Sequence, residues 1–327
     1  MLGRLIAEDN FSITSVGILK NERFMALPKI YTDETAAREH LEKLLWPEGP
    51  VCPHCGTINE ATELKGKSTR PGVYKCRPCQ KPFSVTVGTV FERSKIKLNV
   101  WVYATDLLTA SKKGMSAHQL HRMLGVTYKT AWFMAHRIRE AMRDDKPAPM
   151  GDNGGSVQAD ETYYGNTSKR AKHYKKGHSN KSGVVALVEP ATGKARAFAV
   201  KSATADTVCN ILFTNVRRKA TLVTDESRLY SFVGTQYGDH QTVLHAGREY
   251  VNKEGYTTNN VENFFGIFKK GMVGIYHFCG EQHLQRYLDE FSFRYSNRAG
   301  VGINDAMRGE LALKGITGKR LTYRRPH

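Results

Sequence analysis

The chain of 327 residues is about twice the usual length of one domain, so we expect two or three domains. Hydrophobic residues make up 40% of it and aromatic residues 10%, which is enough for a sizeable core. No apolar run approaches the roughly 20 residues of a membrane-spanning helix, and Glu8 and Asp9 interrupt the region where a signal peptide would be apolar. The composition therefore excludes a membrane-spanning protein, and we expect no membrane partner.

The net charge of +18 is distributed unevenly along the chain. Residues 51–150 contain 17 basic and 7 acidic residues, and residues 162–188 contain no acidic residue. A protein with this balance attracts polyanions, because its cations neutralise phosphates and release their counterions. The charge favours a polyanionic partner, although a basic solvated surface without a partner would have the same composition.

The first predicted elements are an N-terminal helical arm and a cysteine-rich segment. The arm spans residues 1–48, with an amphipathic helix at 33–46, and the cysteine-rich segment spans 49–96. In it the motifs CPHC and CRPC are separated by 20 residues, a spacing that can place four thiolates tetrahedrally around one zinc ion. Two disulfides are the alternative, but no secretory signal supports them. We predict a zinc ribbon that holds one structural Zn²⁺ through Cys52, Cys55, Cys76 and Cys79.

Residues 97–143 have apolar residues at helical spacing and predict three helices. The second ends at Gly125, and Thr127 is the expected N-cap of the third. A helix, a glycine-containing turn and a basic helix form the helix-turn-helix arrangement, although a three-helix spacer would show the same pattern. If this region binds DNA, four side chains are candidates to face the groove or the phosphates: Tyr128, Lys129, His136 and Arg137.

The second half of the chain has a different pattern. Residues 144–155 are rich in proline, glycine and aspartate and predict a linker. Residues 156–300 predict three strands, a helix, two further strands and late helices, which is an α/β fold with a mixed sheet flanked by helices. Residues 301–327 contain 6 basic and 2 acidic residues and predict either a further DNA contact or a loose tail.

Three acidic residues stand at the ends of predicted elements in this α/β region. Asp160 ends the first strand, Asp225 follows the fourth strand, and Glu262 opens a late helix. If these two strands are neighbours, the three carboxylates meet, although two of them about 4 Å apart repel by roughly 4 kcal/mol. Two Mg²⁺ or Mn²⁺ ions would neutralise such a cluster and support phosphoryl transfer.

Two local alternatives accompany this metal-site prediction. Asn259 as N-cap and Glu262 three residues later would also form a capping box, a structural role that is compatible with metal binding. The adjacent Glu161 is expected to face the other side of the sheet, because side chains alternate along a strand. Four basic residues would contact DNA phosphates or would simply be solvated: Lys169, Arg170, Lys269 and Lys270.

Taken together, the motifs resemble the DDE transposases of bacterial insertion sequences, in the branch that combines a zinc ribbon with a ribonuclease H-like catalytic domain. The resemblance covers residues 40–300 and is carried by the stretches CPHCG, CRPCQKPFSVTVGTVFERSKI, DETYYG, TDESRLY, TTNNVENFFGIFKKGMVGIYH and HLQRYLDEFSFRYSNR. It implies a metal-binding triad of Asp160, Asp225 and Glu262, with 36 residues between the last two. His245 and Asn259 fit auxiliary positions of the family, whereas Thr257 stands where the family often has histidine.

This resemblance implies a DNA transposase that cuts at the ends of an insertion sequence and joins the 3′-OH to target DNA by two-metal phosphoryl transfer. We expect it to act as at least a dimer on DNA, in the bacterial cytoplasm at the nucleoid. A non-catalytic DNA-binding protein would explain the charge and the zinc but not the three acids. A related metal-dependent nuclease would use the same acids, so the sequence does not separate hydrolysis from strand transfer.

Overall fold

The computed structural model describes residues 27–165, 181–244 and 250–322. These ranges contain an N-terminal part with helices and a small ribbon, and an α/β domain. The helices are α1 (Lys29–Thr32), α2 (Glu34–Leu45), α3 (Leu98–Ala110), α4 (Ala117–Leu124), α5 (Tyr128–Met142), α6 (Ala205–Asn215), α7 (Ser231–Gly234), α8 (Asn259–Gly271), α9 (Leu284–Ser296) and α10 (Asp305–Lys314). The strands are β1 (Ala61–Glu63), β2 (Tyr74–Cys76), β3 (Pro82–Phe83), β4 (Ser156–Tyr164), β5 (Ser182–Glu189), β6 (Lys194–Val200), β7 (Thr221–Asp225) and β8 (Asp239–Val243).

The ribbon is antiparallel, in the order β1-β2-β3, and follows the predicted helix α2. Asp33 caps α2 by accepting a hydrogen bond from the N–H of Ala36 at 2.8 Å. The last strand of the ribbon, β3, is only two residues long, because residues 84–91 form turns. The reason is packing: Val85, Val90 and Phe91 are buried in the core of the neighbouring helices instead of extending the ribbon.

Helices α4 and α5 follow one another across a short turn, as both the helix-turn-helix and the three-helix-spacer predictions expect. Gly125 ends α4 in the left-handed region with φ +64°, which glycine adopts without steric cost, and Thr127 accepts from the N–H of Thr130 at the start of α5. The first turn of α5 is exposed, whereas the residues from Met134 onwards are buried. The exposed first turn is therefore the part of α5 that is open to a partner.

The segment that follows the α/β domain returns to the N-terminal helices. Helix α10 packs on α3, and Ala312, Leu313 and Ile316 are buried in the same core. The N–H of Val90 donates to the carbonyl of Ile316 at 3.1 Å. The expectation of a loose tail is therefore wrong for residues 301–322, because basic side chains on the outside of a helix concealed its apolar side.

The α/β domain contains a five-stranded mixed sheet in the order β6-β5-β4-β7-β8. Strand β5 is antiparallel to β4 and β6, whereas β7 and β8 run parallel to β4. One face packs on α6, through residues such as Val157 and Leu212. The other face packs on α8 and α9, through residues such as Phe264 and Phe291. This arrangement confirms the predicted mixed sheet flanked by helices and has the strand order of the ribonuclease H-like fold.

A buried charge cluster connects the N-terminal helices with the α/β domain. Arg139 of α5 donates to Glu290 of α9 at 2.6 Å, and Arg294 donates to the other carboxylate oxygen. Their side chains are 2%, 0% and 4% exposed, respectively. Burial opposes the ionisation of Glu290, but the two arginines outweigh it and hold its pKa below the ordinary value.

The end of the predicted linker also belongs to the folded domain. Met150 is 2% exposed, and its N–H donates to the carbonyl of Asn215 at 2.7 Å.

Within the part of the chain that the structure describes, no helix has both the length and the apolar character needed to cross a membrane.

Candidate active site and zinc site

The four predicted cysteines converge in the ribbon. Their sulfur atoms all lie within 4.8 Å of one another, and Sγ of Cys52 is 3.7 Å from that of Cys79. Four sulfurs at about 2.3 Å from one zinc ion in a tetrahedron would be about 3.8 Å apart, whereas a disulfide requires about 2.05 Å. The cysteines are free, so the geometry fits a zinc site and not the alternative of two disulfides.

Each knuckle of the zinc site makes the same turn. The N–H of Gly56 donates to the carbonyl of Cys52 at 2.9 Å, and the N–H of Gln80 donates to that of Cys76 at 3.0 Å. Both turning residues have positive φ, +77° at Gly56 and +59° at Gln80. A hydrogen bond from Thr57 lowers the pKa of the Cys55 thiol to about 6, which favours the thiolate that metals bind.

Removal of zinc is expected to unfold the ribbon but not the five-stranded sheet of the α/β domain, because few apolar side chains hold the ribbon together. Only Cys52, Cys76 and Phe83 form its buried cluster, and metal binding in small zinc modules contributes about 10–16 kcal/mol. Cys76→Ser should lose zinc and the hydrogen-exchange protection of β2, whereas Cys279→Ser, outside the ribbon, should keep both. Zinc content and amide exchange measure this, and full zinc retention by Cys76→Ser would contradict it.

The carboxylates of the predicted triad come from three elements of the α/β domain. The parallel register pairs Gln158 of β4 with Val223 of β7, so two residues further along both strands Asp160 stands beside Asp225. The two strands are therefore neighbours, which is the arrangement that the metal-site prediction assumed. Glu262 lies in the first turn of α8, which packs against β4.

The start of α8 differs from the predicted capping box. Thr258 precedes the helix and Asn259 is already its first residue, so Asn259 is not the N-cap. The N–H groups of Asn260 and Val261 instead donate to Oε1 of Gln158 on β4, at 3.0 and 3.1 Å. The capping box is wrong because a residue 102 positions away in sequence occupies the place of the local cap.

Hydroxyl groups complete this helix start. The hydroxyl of Thr258 donates to Oε1 of Glu262 at 2.6 Å. Thr257, where the family often has histidine, accepts from the N–H of Asn259 at 3.1 Å. The contacts of Gln158 and Thr258 with the start of α8 were not predicted from the sequence. Gln158 could have been noticed there, because it is a polar residue in an apolar strand and lies on the same face as Asp160.

Burial and charge act together on the carboxylate of Asp160. Burial raises the pKa of Asp160 to about 7, and the charges of Glu161, Asp225 and Glu262 add to the rise. Among the described residues, the four cysteines are the only group of three or more His, Cys, Asp or Glu ligands within 4.8 Å of one another. At least two of the three carboxylates of the triad therefore lie more than 4.8 Å apart. Its hard oxygen donors fit a divalent cation such as Mg²⁺.

Glu161 faces away from the triad, as strand alternation predicts. Its Oε2 accepts from the hydroxyl of Tyr230 at 2.6 Å, and Tyr230 is fully buried on the α6 side of the sheet. Burial raises the pKa of Glu161, and the hydrogen bond from Tyr230 opposes that rise. Glu161 is therefore anchored on the opposite face from Asp160.

The structure separates the predicted DNA contacts into exposed and buried residues. Tyr128 and Lys129 are exposed in the first turn of α5, and Lys269 and Lys270 are exposed in the last turn of α8. Asn259 is exposed as well. Three further candidates lie outside the described residues: Lys169, Arg170 and His245.

His136 and Arg137 are buried, contrary to the prediction that they face DNA. His136 is 1% exposed, and burial together with the charge of Arg139 lowers its pKa to about 2. Arg137 is 9% exposed and donates to the carbonyls of Glu92 and Leu321 at 3.3 and 3.2 Å. Both are buried because other elements cover the middle of α5 on sides that a solitary recognition helix would expose.

Known proteins match both halves of the chain. Residues 153–296 match the family described as ISXO2-like transposase domain, and residues 32–82 match the transposase zinc-ribbon domain. A relative from Halobacterium salinarum, described as an uncharacterized protein in transposable element ISH50, is 25% identical over 280 residues, which are 81% of this chain and 92% of that one. Its host is an archaeon, so this relative does not support the bacterial origin that the resemblance implied.

Two solved structures that are similar to part of this chain are integrase catalytic core domains. The catalytic core domain of BIV integrase is 18% identical with a TM-score of 0.31, over 46% of this chain and 90% of that one. The HTLV-2 integrase catalytic core domain in complex with magnesium is 15% identical with a TM-score of 0.27, over 43% of this chain and 84% of that one.

Proposed function

Because the chain belongs to the DDE transposases of insertion sequences, with a zinc ribbon and a ribonuclease H-like domain, we propose that it cuts DNA at the ends of such an element and joins the freed 3′-OH to target DNA. One observation carries the proposal. Asp160 and Asp225 stand side by side on neighbouring parallel strands, and the start of α8 brings Glu262 close enough for its charge to raise the pKa of Asp160.

Asp160, Asp225 and Glu262 would hold two Mg²⁺ or Mn²⁺ ions, since carboxylate oxygens are the ligands these cations prefer. When bound, such a pair activates an attacking oxygen and stabilises the leaving oxygen of an in-line phosphoryl transfer. The chain itself contributes the fixed spacing of its acids, which the strand register and the capped helix start maintain. Because the acids are already held in position, less entropy is lost when the reacting groups reach the transition state.

Double-stranded DNA is the proposed partner, at the nucleoid. We propose that Tyr128 and Lys129, exposed in the first turn of α5, contact the element's ends, and that Lys269 and Lys270, exposed on α8, contact phosphates. Lys169 and Arg170 would add to the basic surface. We propose at least a dimer on DNA, because two ends of one element are joined to one target.

The proposal is tested with a labelled duplex that carries the terminal sequence flanking this gene, incubated with Mg²⁺, Mn²⁺ or EDTA. We expect cleavage that leaves a 3′-OH, followed by joining of that end to a second duplex, and neither step in EDTA. A duplex of unrelated sequence is the control for the ends. Cleavage without joining would identify a nuclease instead, and binding without cleavage under any metal would identify a DNA-binding protein.

A further inference from the structure

Gln158 couples two elements of the candidate active site. It lies two residues before Asp160 on β4, on the same face of the strand, and is 3% exposed. Its Oε1 accepts from the N–H groups of Asn260 and Val261, which belong to the first turn of α8. First-turn N–H groups have no partner within their own helix, so this amide supplies the cap that α8 needs.

These contacts fix the backbone immediately before Glu262. Val261 is fully buried, and the carbonyl of Asn260 accepts from the hydroxyl of Tyr295 at 3.1 Å. Thr258, 2% exposed, donates to the Glu262 carboxylate itself at 2.6 Å. The helix start is therefore held by β4 on one side and by α9 on another, and Glu262 follows directly from that anchored turn.

We propose that Gln158 is a positioning residue for the metal site, whose amide oxygen sets the separation between Asp160 on its own strand and Glu262 on the helix that it caps. This inference rests on the proposed function, since it requires Glu262 to be a metal ligand. Residues that orient metal ligands from outside the coordination sphere typically change metal affinity by about 10–100-fold when they are replaced. A cap with a purely structural role would change stability and leave metal affinity as it is.

Three substitutions separate the effect of side-chain length from the effect of the acceptor oxygen at position 158. Gln158→Met keeps the length and removes the acceptor, Gln158→Asn keeps the amide but is one methylene too short, and Gln158→Glu keeps both the length and an acceptor oxygen. We expect the Met and Asn variants to weaken Mn²⁺ binding about 10–100-fold, with DNA binding unchanged. The Glu variant should restore Mn²⁺ binding towards the wild-type value.

Mn²⁺ binding is read from the electron paramagnetic resonance signal of the free ion, which requires no turnover, and the Mg²⁺ concentration for half-maximal cleavage is the second readout. Thermal stability is measured in parallel. If the Met variant does not fold, the Asn and Glu variants give the same comparison. Wild-type Mn²⁺ binding in the Met or Asn variant, or a lower melting temperature alone, would overturn the inference.

Glu262→Ala distinguishes failure of this inference from failure of the proposed function. If Glu262→Ala binds Mn²⁺ and cleaves DNA like the wild type, the metal role of Glu262 is wrong and the positioning role of Gln158 is wrong with it. If Glu262→Ala loses both while Gln158→Met and Gln158→Asn keep them, only the positioning role is wrong. Tyr295→Phe, which removes the contact to Asn260 from α9, is the matched control for general loosening of the helix start.

Discussion

Asp160→Asn is expected to reduce DNA cleavage by at least about 1,000-fold, since a neutral amide is a poor ligand for the cations that the triad would hold. DNA binding should stay within about 2-fold of the wild type, because the exposed candidate contacts on α5 and α8 are untouched. The control is Asp239→Asn, an exposed acid at the start of β8 in the same sheet, which should cleave like the wild type. Cleavage by Asp160→Asn at a rate near that of the wild type would remove Asp160 from the triad.

The same substitution is expected to stabilise the metal-free protein. A pKa raised from 3.8 to about 7 means that folding favours the neutral form of Asp160, by about 4 kcal/mol at most. The folded pKa is above the unfolded one, so the wild type loses stability as the pH rises from about 4 to about 7. The gain in free energy of unfolding from Asp160→Asn should therefore be near zero at about pH 4 and largest above about pH 7.

Urea denaturation in EDTA at several pH values measures this gain. Because the zinc ribbon is expected to unfold in EDTA, the signal is taken from the α/β domain by amide exchange of its sheet. Lower activity together with higher stability is the expected signature of a cluster retained for function. If the Asp160→Asn variant were less stable than the wild type at pH 8, the folded protein would stabilise the ionised Asp160 carboxylate without a cation, which contradicts the prediction.

Glu290→Gln is expected to destabilise the protein by about 3–5 kcal/mol, because it leaves two buried guanidinium groups without a counter-charge. Arg139 and Arg294 both donate to this carboxylate, and the hydroxyl of Tyr276 donates to it at 2.5 Å. An amide offers one acceptor oxygen in place of two and carries no charge. The group that is lost therefore serves three donors at once.

Chemical denaturation of Glu290→Gln and of Glu281→Gln tests this prediction. Glu281 is an exposed acid just before α9, so its substitution should change the free energy of unfolding by less than about 0.5 kcal/mol. A loss below about 1 kcal/mol for Glu290→Gln would show that water or movement of α5 compensates for the missing charge.

Local signals predicted most of the elements correctly. The caps at Thr127 and Gly125, the apolar spacing of α5 and the acid-ended strands β4 and β7 are all readable within a few residues of sequence. The zinc site was predictable for the same reason, since two knuckles and their spacing define it. The neighbourhood of Asp160 and Asp225 required an assumed strand order, which the sheet contains.

Long-range contacts account for the errors. Asn259 has the chemistry of an N-cap, but the competing acceptor, Gln158, belongs to a strand 102 residues earlier. His136 and Arg137 have the polarity of surface residues, yet packing of other elements buries them. In the C-terminal segment, the basic composition predicted exposure, whereas a few apolar residues on one side of α10 decided its position.

The buried cluster of Arg139, Glu290 and Arg294 would fix the distance between the DNA sequence that is recognised and the phosphate that is cut. It joins α5, whose first turn is exposed, to α9, which packs on the sheet that carries Asp160. If the proposed function is correct, the phosphate that is cut would lie at a fixed number of base pairs from the sequence that α5 contacts. One inserted base pair moves that phosphate by about 3.4 Å along the helix axis and rotates it by about 35°. Under the proposed function, the length of the spacer in the element's ends would matter for recognition as much as the bases that the protein contacts.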